Sequence, residues 1–389
     1  MVEEELSRNG SVESKGKINW IELRITTDCR MAFPRDFSST AVRRGWIREL
    51  CGPLDEARWN ELARELFTWQ FAQVPAFRRL CLGREVSPKT LGSWRDIPAM
   101  PQQLFKREKL FGHGTSAPAA VYETSGTTTG EPGRQFLLST DIYKAMSVEG
   151  AWREGLFKDG ADFYFLTASP VEARHSSLSA MFGFWRKVSG QEEAKFWMRD
   201  GAFDFAGFRR ALTESVKKKR PVAICGTAFS FVHFLDAGGE AMKLPRGSWL
   251  LETGGFKGRT REVPKAELYA EMARIFGVKD DAIWNEYGMS ELSSQAYARG
   301  THGLHATPPW ARVLVCDPAN GREVRVGQEG LVRWIDLANV DSVMALQTLD
   351  RAERRPKGFR LIGRLPRTEP RGCSLSAEDI TNGRAGPSR

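Results

Sequence analysis

Three observations predict an α/β fold. After about residue 118, short apolar runs alternate with helical stretches. The runs at 163–168 (FYFLTA) and 221–225 (PVAIC) have strand length and are apolar throughout, the pattern of buried strands. Residues 265–276 (KAELYAEMARIF) instead space their apolar side chains as one face of a helix.

The remaining elements follow in order. Residues 1–18 are polar, and a disordered N-terminus is expected. From 39 to about 82 the spacing predicts helix, with Trp59, Leu62, Leu66 and the Trp69/Gln70 pair on one packed face. Residues 97–106 (IPAMPQQLFK) hold two prolines and predict an ordered connector. The strand at 221–225 leads into a helix through Phe234. The strand at 249–253 ends in a Gly-Gly turn, and 282–286 reads as a short strand. Three further strands are expected at 313–317, 330–337 and 344–348, with DPANG among the turns. The expected division is a main α/β region with its helical lead-in at 19–307, a small β-rich subdomain at 308–362, and a short basic tail at 363–389.

Composition narrows the class. The chain has 389 residues, 41% hydrophobic and 27% charged, which excludes a mainly disordered or collagenous protein. The uncharged run at 221–235 falls short of the ~20 residues of a membrane span. MVEEELSRNG is not the basic-then-apolar start of a secretory signal, so a cytoplasmic location is expected. Six scattered cysteines form no CxxC array, and with five scattered histidines they predict free thiols rather than a disulfide framework or metal site. The net charge is +9, and residues 351–389 supply six of those charges. That tail lacks interleaved aromatics, helix-turn-helix spacing and zinc ligands. An anionic small ligand or a protein partner is therefore expected rather than nucleic acid.

Chemistry concentrates in a few segments. Residues 122–134 (YETSGTTTGEPGR) contain eight Ser, Thr or Gly in thirteen positions. Glycine lets main-chain N–H groups approach an anion, hydroxyls add donors, and Arg134 adds charge. A bare run of this kind is often a linker, but this one lies between two strand-like segments. In 284–295 (WNEYGMSELSSQ), Tyr287 offers an aromatic face, and Ser290 and Glu291 set a hydroxyl beside a carboxylate suited to Mg²⁺. An isolated Ser-Glu is otherwise a common helix start. Residues 251–261 (LETGGFKGRTR) close a strand with Gly254 and Gly255 and follow it with Lys257; a tight turn with a solvated basic face is the plain alternative. Asp350 suits ribose hydroxyls, and Arg364 suits ribose or phosphate.

Taken together, TSGTTTG, the Gly-Gly strand end, YGMSE, TLD and GR resemble the adenylate-forming (AMP-binding) superfamily of acyl and aryl ligases, over about residues 97–376. IPAMPQQLFK, LETGGFKGR, NEYGMSELSSQAY and GRLPRTEPRGCSL are most similar to the acyl-protein synthetase (LuxE) family. The resemblance implies an adenylate-forming-enzyme-like N-terminal domain whose usual C-terminal domain is reduced to a short tail. It implies ATP and Mg²⁺, a fatty carboxylic acid substrate, and an acyl-accepting reductase or carrier protein as partner.

The resemblance also assigns residues. Thr124, Ser125, Gly126, Thr127, Thr128, Thr129 and Gly130 would hold the ATP phosphates. Gly254 and Gly255 would flank the adenine, with Tyr287 stacking on it and Gly288 beside it. Ser290 would serve phosphate and Glu291 the metal. Asp350 and Arg364 would hold the ribose. Cys373 would take the acyl group as a thioester, its thiol activated by Arg364, Arg367 and Arg371. His175 precedes an apolar stretch suited to an acyl channel or to the core.

Three features depart from the common pattern. SGTTTG carries one residue more than SGTTG. Gly133 and Arg134 replace the usual lysine after the loop proline. Only 26 residues follow Gly363, so the C-terminal-domain lysine is missing and Lys257 or Arg134 would supply the cation. A CoA or aryl-acid ligase and a non-catalytic nucleotide-binding module are the alternatives.

Overall fold

The computed structural model describes residues 35–124, 131–157, 160–191, 195–238, 241–254 and 263–365. Three helices lead in: α1 (Thr40–Cys51), α2 (Glu56–Gln73) and α3 (Pro75–Gly83). Asp55 caps α2 by accepting the Arg58 amide, and Pro75 opens α3 at a position where its missing N–H costs nothing.

Next come β1 (Met100–Pro101), β2 (Ala120–Glu123), β3 (Arg134–Leu137), α4 (Asp141–Arg153), β4 (Asp162–Ala168) and α5 (Ser177–Val188). They are followed by β5 (Lys195–Arg199), β6 (Ala202–Phe203), α6 (Phe205–Lys217), β7 (Val222–Thr227) and α7 (Ala228–Asp236). Then come β8 (Trp249–Thr253), α8 (Lys265–Phe276), β9 (Ile283–Tyr287) and β10 (Ala296–Arg299). The last described strands are β11 (Ala311–Cys316), β12 (Glu329–Asp336), β13 (Ala345–Arg354) and β14 (Phe359–Arg364).

The larger sheet runs β10-β9-β8-β7-β4-β5-β6. Its five central strands are parallel, with β10 and β6 antiparallel at the edges. Side chains alternate between two cores. Tyr164, Leu166, Val222 and Ile224 pack with α6, α7 and α8. Phe163, Phe165, Ala223 and Cys225 pack with α4 and α5. Helices on both faces explain why these strands are continuous apolar runs. After β4 the chain adds β5 and β6 on one side, then returns to β7 on the other. Strand order therefore reverses between β4 and β7, and ligands in such sheets bind outside the carboxyl ends at that point.

The second sheet runs β1-β13-β12-β11, with β14 on the far half of β13. Both faces of this sheet carry apolar side chains: Trp334 and Leu346 turn to the side of Tyr287, Ile335 and Ala345 to the other, and all belong to one core with Trp46, Trp59 and Leu66 of the lead-in helices. The expected connector at 97–106 thus contributes a strand, through Met100 paired with Leu346 and Pro101 with Gln347. The strand expected at 344–348 continues to Arg354, because the polar stretch Asp350–Arg354 pairs with β14 on a partly exposed edge. The β-rich sheet spans 311–364 plus β1, against the expected unit at 308–362.

The β12–β13 loop is buried and ties the layers together. Asp341 lies between Arg43 at 2.6 Å and His113 at 2.7 Å, and it accepts the Leu138 amide at 3.2 Å. Asn339 accepts from Gln135 at 2.6 Å and donates to the Glu291 and Val343 carbonyls at 2.8 Å each. Burial opposes the Asp341 charge, but hydrogen bonds from His113 and Arg43 outweigh it and hold its carboxyl below the usual range. Among the described residues, Cys51, Cys81, Cys225 and Cys316 are free thiols, and burial pushes Cys51 and Cys81 up to about 12.

Candidate active site

The chemistry-bearing segments meet where the carboxyl ends of β8 and β9 face the second sheet. Tyr287 ends β9, and its hydroxyl donates to Asp350 Oδ2 on β13 at 2.8 Å. Its ring lies about 6 Å from those of His305, Trp334 and Phe359, and the residue is 9% exposed. Packing therefore holds the ring on several sides. Arg364 on β14 stands across the ladder from Asp350, with its Nε 3.7 Å from Asp350 Oδ1.

Gln102 closes the network. It follows β1, and its amide donates to Glu291 Oε1 at 2.8 Å while its carbonyl accepts from Arg364 at 2.8 Å. Burial raises the Glu291 carboxyl above its ordinary value, opposed by the Gln102 hydrogen bond and the Arg364 charge. Gln102 lies within IPAMPQQLFK, but its residue type does not distinguish it there. Its role needs β1 to pair with β13, and a polar side chain in a connector carries no such signal.

Ser290 donates to the Glu123 carbonyl at 2.9 Å and lies 3.4 Å from the Ser177 hydroxyl. Glu123 ends β2, which pairs with β3 as the hairpin flanking the Ser/Thr/Gly loop. Thr124 closes the base of that loop: its hydroxyl accepts the Gly133 amide at 2.9 Å, and its own amide bonds the Gly133 carbonyl. Arg134 pairs with Glu123 and Glu131 at 3.2 Å each, so two carboxylates already offset its charge. His175 is exposed, and its Nδ1 is 3.0 Å from the Val121 carbonyl; it braces the hairpin rather than joining the core. Gly254 follows β8 with φ of +71°, a conformation glycine adopts without strain. Ser125, Gly126, Thr127, Thr128, Thr129, Gly130, Gly255, Lys257 and Cys373 lie outside the described residues.

Beneath this rim are two buried carboxyls. Glu252 accepts from Tyr269 at 3.0 Å and from Asn285 at 2.6 Å, and Thr253 donates to Glu286. Burial pushes both up to about 7. Gly288 permits the position of Glu286, since a Cβ there would lie 2.2 Å from Glu286 Oε1. His305, 2.6 Å from Asn285, is pushed down to about 3 by burial and stays neutral.

Among the described residues, no three His, Cys, Asp or Glu side chains group as a metal cage. Glu291 instead suits the way Mg²⁺ is often bound, by one or two carboxylates together with substrate phosphates. No described helix is long and apolar enough to cross a membrane.

No protein-family model matches the chain, and no curated protein matches it. Solved structures do. A 2-hydroxyisobutyryl-CoA ligase in complex with 2-HIB-AMP and CoA, in its thioesterification state, superposes with a TM-score of 0.59 at 17% identity, covering 80% of this chain and 68% of that one. An open conformation of that ligase with the same two ligands gives 0.58 at 16% identity, with coverage of 79% and 69%. Its postadenylation state with 2-HIB-AMP gives 0.57 at 16% identity, covering 80% and 68%. The chain therefore shares the α/β fold of an adenylate-forming CoA ligase.

Proposed function

We propose that this chain activates a carboxylic acid with ATP as an acyl-adenylate. The observation that carries the reading is the Gln102-centred network. It brings Glu291, Arg364 and, through Arg364, the Asp350–Tyr287 pair to the carboxyl edge of the parallel sheet. The anchored Ser/Thr/Gly loop begins beside Ser290. In this reading an acid oxygen attacks the α-phosphorus of ATP, and pyrophosphate leaves. The loop takes the phosphates, Asp350 and Arg364 the ribose, and Gly254 and Tyr287 the base side. Glu291 would hold Mg²⁺, which would neutralise phosphate charge. Positioning and charge neutralisation then supply most of the catalysis.

The acyl group then passes to Cys373, as in an acyl-protein synthetase, and on to a partner protein. The thiolate attacks the acyl carbonyl and AMP leaves. Support comes from the chain's exit: the Leu365 amide bonds the Leu349 carbonyl at 3.0 Å, next to Asp350. Cys373 is eight residues further on, a tether of at most about 28 Å. A fatty acid is the proposed substrate on resemblance alone. CoA as acceptor is the second reading, favoured by the shared fold of a ligase crystallised with CoA.

Intact-protein mass after incubation with ATP, Mg²⁺ and mixed carboxylic acids tests these readings, with native and Cys373→Ala chains side by side. An acyl adduct on the native chain alone supports self-acylation, and its mass names the acid. Pyrophosphate release without an adduct, and AMP release that depends on CoA, support the second reading. An equal adduct on Cys373→Ala removes Cys373 as acceptor. Neither adduct nor pyrophosphate with any acid would sink the adenylation proposal.

A further inference from the structure

We propose that a cleft on the reverse face of the second sheet binds a phosphate or diphosphate group. The cleft encloses about 350 Å³, within the range of small-ligand pockets. Arg84 caps the C-terminus of α3, Arg95 belongs to the 3₁₀ turn Trp94–Asp96, and Arg333 lies on β12. All three line the cleft. Successive strand residues point to opposite faces, so Trp334 faces Tyr287 while Arg333 faces away. The cleft is thus separated from the candidate active site by the sheet.

The arginines outnumber the acids of the lining, and none of them is ion-paired among the described residues. Arg333 spends its Nε on Gln347 Oε1 at 3.0 Å, and its terminal nitrogens have no partner among the described residues. Arg95 lies 4.3 Å over the Trp94 ring, which orients it without neutralising it. Two carboxylates share the lining, but both are engaged locally. Asp96 accepts the Ser93 amide at 2.9 Å, and Asp317 accepts from the Ala319 amide and the Asn320 side chain at 2.8 Å each. The lining keeps a net positive charge, which a bound anion would offset.

Three guanidinium forks from three elements suit a tetrahedral oxyanion, with acceptor oxygens in several directions, better than a planar carboxylate. Such a group has two sources: free pyrophosphate, or the phosphorylated end of a nucleotide-bearing ligand.

The test is calorimetric titration of the full chain at low salt with inorganic pyrophosphate and, separately, with 3′,5′-ADP. It compares the native chain, Arg95→Gln/Arg333→Gln and Arg364→Ala. The expected result is that the native chain and Arg364→Ala bind one equivalent of probe more than the double variant, or bind it at least tenfold more tightly. Preference for pyrophosphate identifies a free anion, and preference for 3′,5′-ADP identifies a phosphorylated nucleotide end. Equal stoichiometry and affinity in native chain and double variant, with unfolding temperatures matched, would overturn the proposal. So would an absence of density between the three arginines in crystals soaked with tungstate.

Discussion

Tyr287 and Asp350 share a hydrogen bond of 2.8 Å that joins the end of the parallel sheet to the second sheet. Sixty-three residues separate them in the chain. The bond orients the Asp350 carboxylate at the rim, where Arg364 also reaches it. In the proposed site, removing the carboxylate would deprive a bound ribose of its acceptor, whereas removing the phenol hydroxyl would only loosen that acceptor. Asp350→Ala should therefore raise KM for ATP tenfold or more in a pyrophosphate-exchange assay and leave KM for the acid within a few-fold. Tyr287→Phe should give a smaller rise and cost about 1 kcal/mol of stability. An unchanged KM for ATP in Asp350→Ala would remove that residue from the nucleotide site.

Glu291→Gln keeps the packing and its link to Gln102 but removes the negative charge. It should lower kcat by about a hundredfold or more and raise the Mg²⁺ concentration for half-maximal rate. Gln102→Ala should lower kcat less, because Glu291 keeps its charge and loses only its orientation. A Gln102→Ala effect as large as that of Glu291→Gln would contradict this ranking.

Glu286 titrates with a definite sign. Burial raises its carboxyl from an ordinary 4.5 to about 7. Between those values the folded chain holds the proton more tightly than the unfolded chain, so stability falls as pH rises through that window. Glu286→Gln removes the titration. Its unfolding free energy should exceed the native value at pH 8 by about 3 kcal/mol and should converge with it near pH 4.5. A difference independent of pH would show that Glu286 carries no such proton.

The Arg43–Asp341 pair is buried, with side chains 2% and 3% exposed. Removing one partner leaves the other charge without compensation. Asp341→Ala should cost about 3–5 kcal/mol in urea unfolding. Arg43→Met combined with Asp341→Leu should cost less than either single change, because no charge is then stranded.

Local patterns made much of the larger sheet legible. Each of its central strands at 163–168, 221–225, 249–253 and 282–286 was expected within a residue or two of its observed place, apart from β5. Helices on both faces demand apolar runs, and those runs are visible without any partner. The β5–β6 pair is not legible in the sequence, because Lys195–Arg199 offers only three apolar residues between charged ends and β6 is two residues long. The far half of β13 is not legible either: Asp350, Arg351 and Arg354 look like turn residues until β14 pairs with them.

The site divides along the same line. Residue type and spacing determined which segments carry hydroxyls, carboxylates and glycines suited to a nucleotide, because those properties belong to single side chains and their near neighbours. Tertiary structure alone decided what each group touches. Gln102 meets Glu291 across 189 positions of chain, and Arg43 meets Asp341 across 298. It turned the Tyr287 ring toward His305 and Phe359, and it paired Arg134 with two carboxylates. Sequence periodicity reports which face a residue shows to a core. The identity of the group waiting on that face depends on how distant elements pack, and no local pattern encodes it.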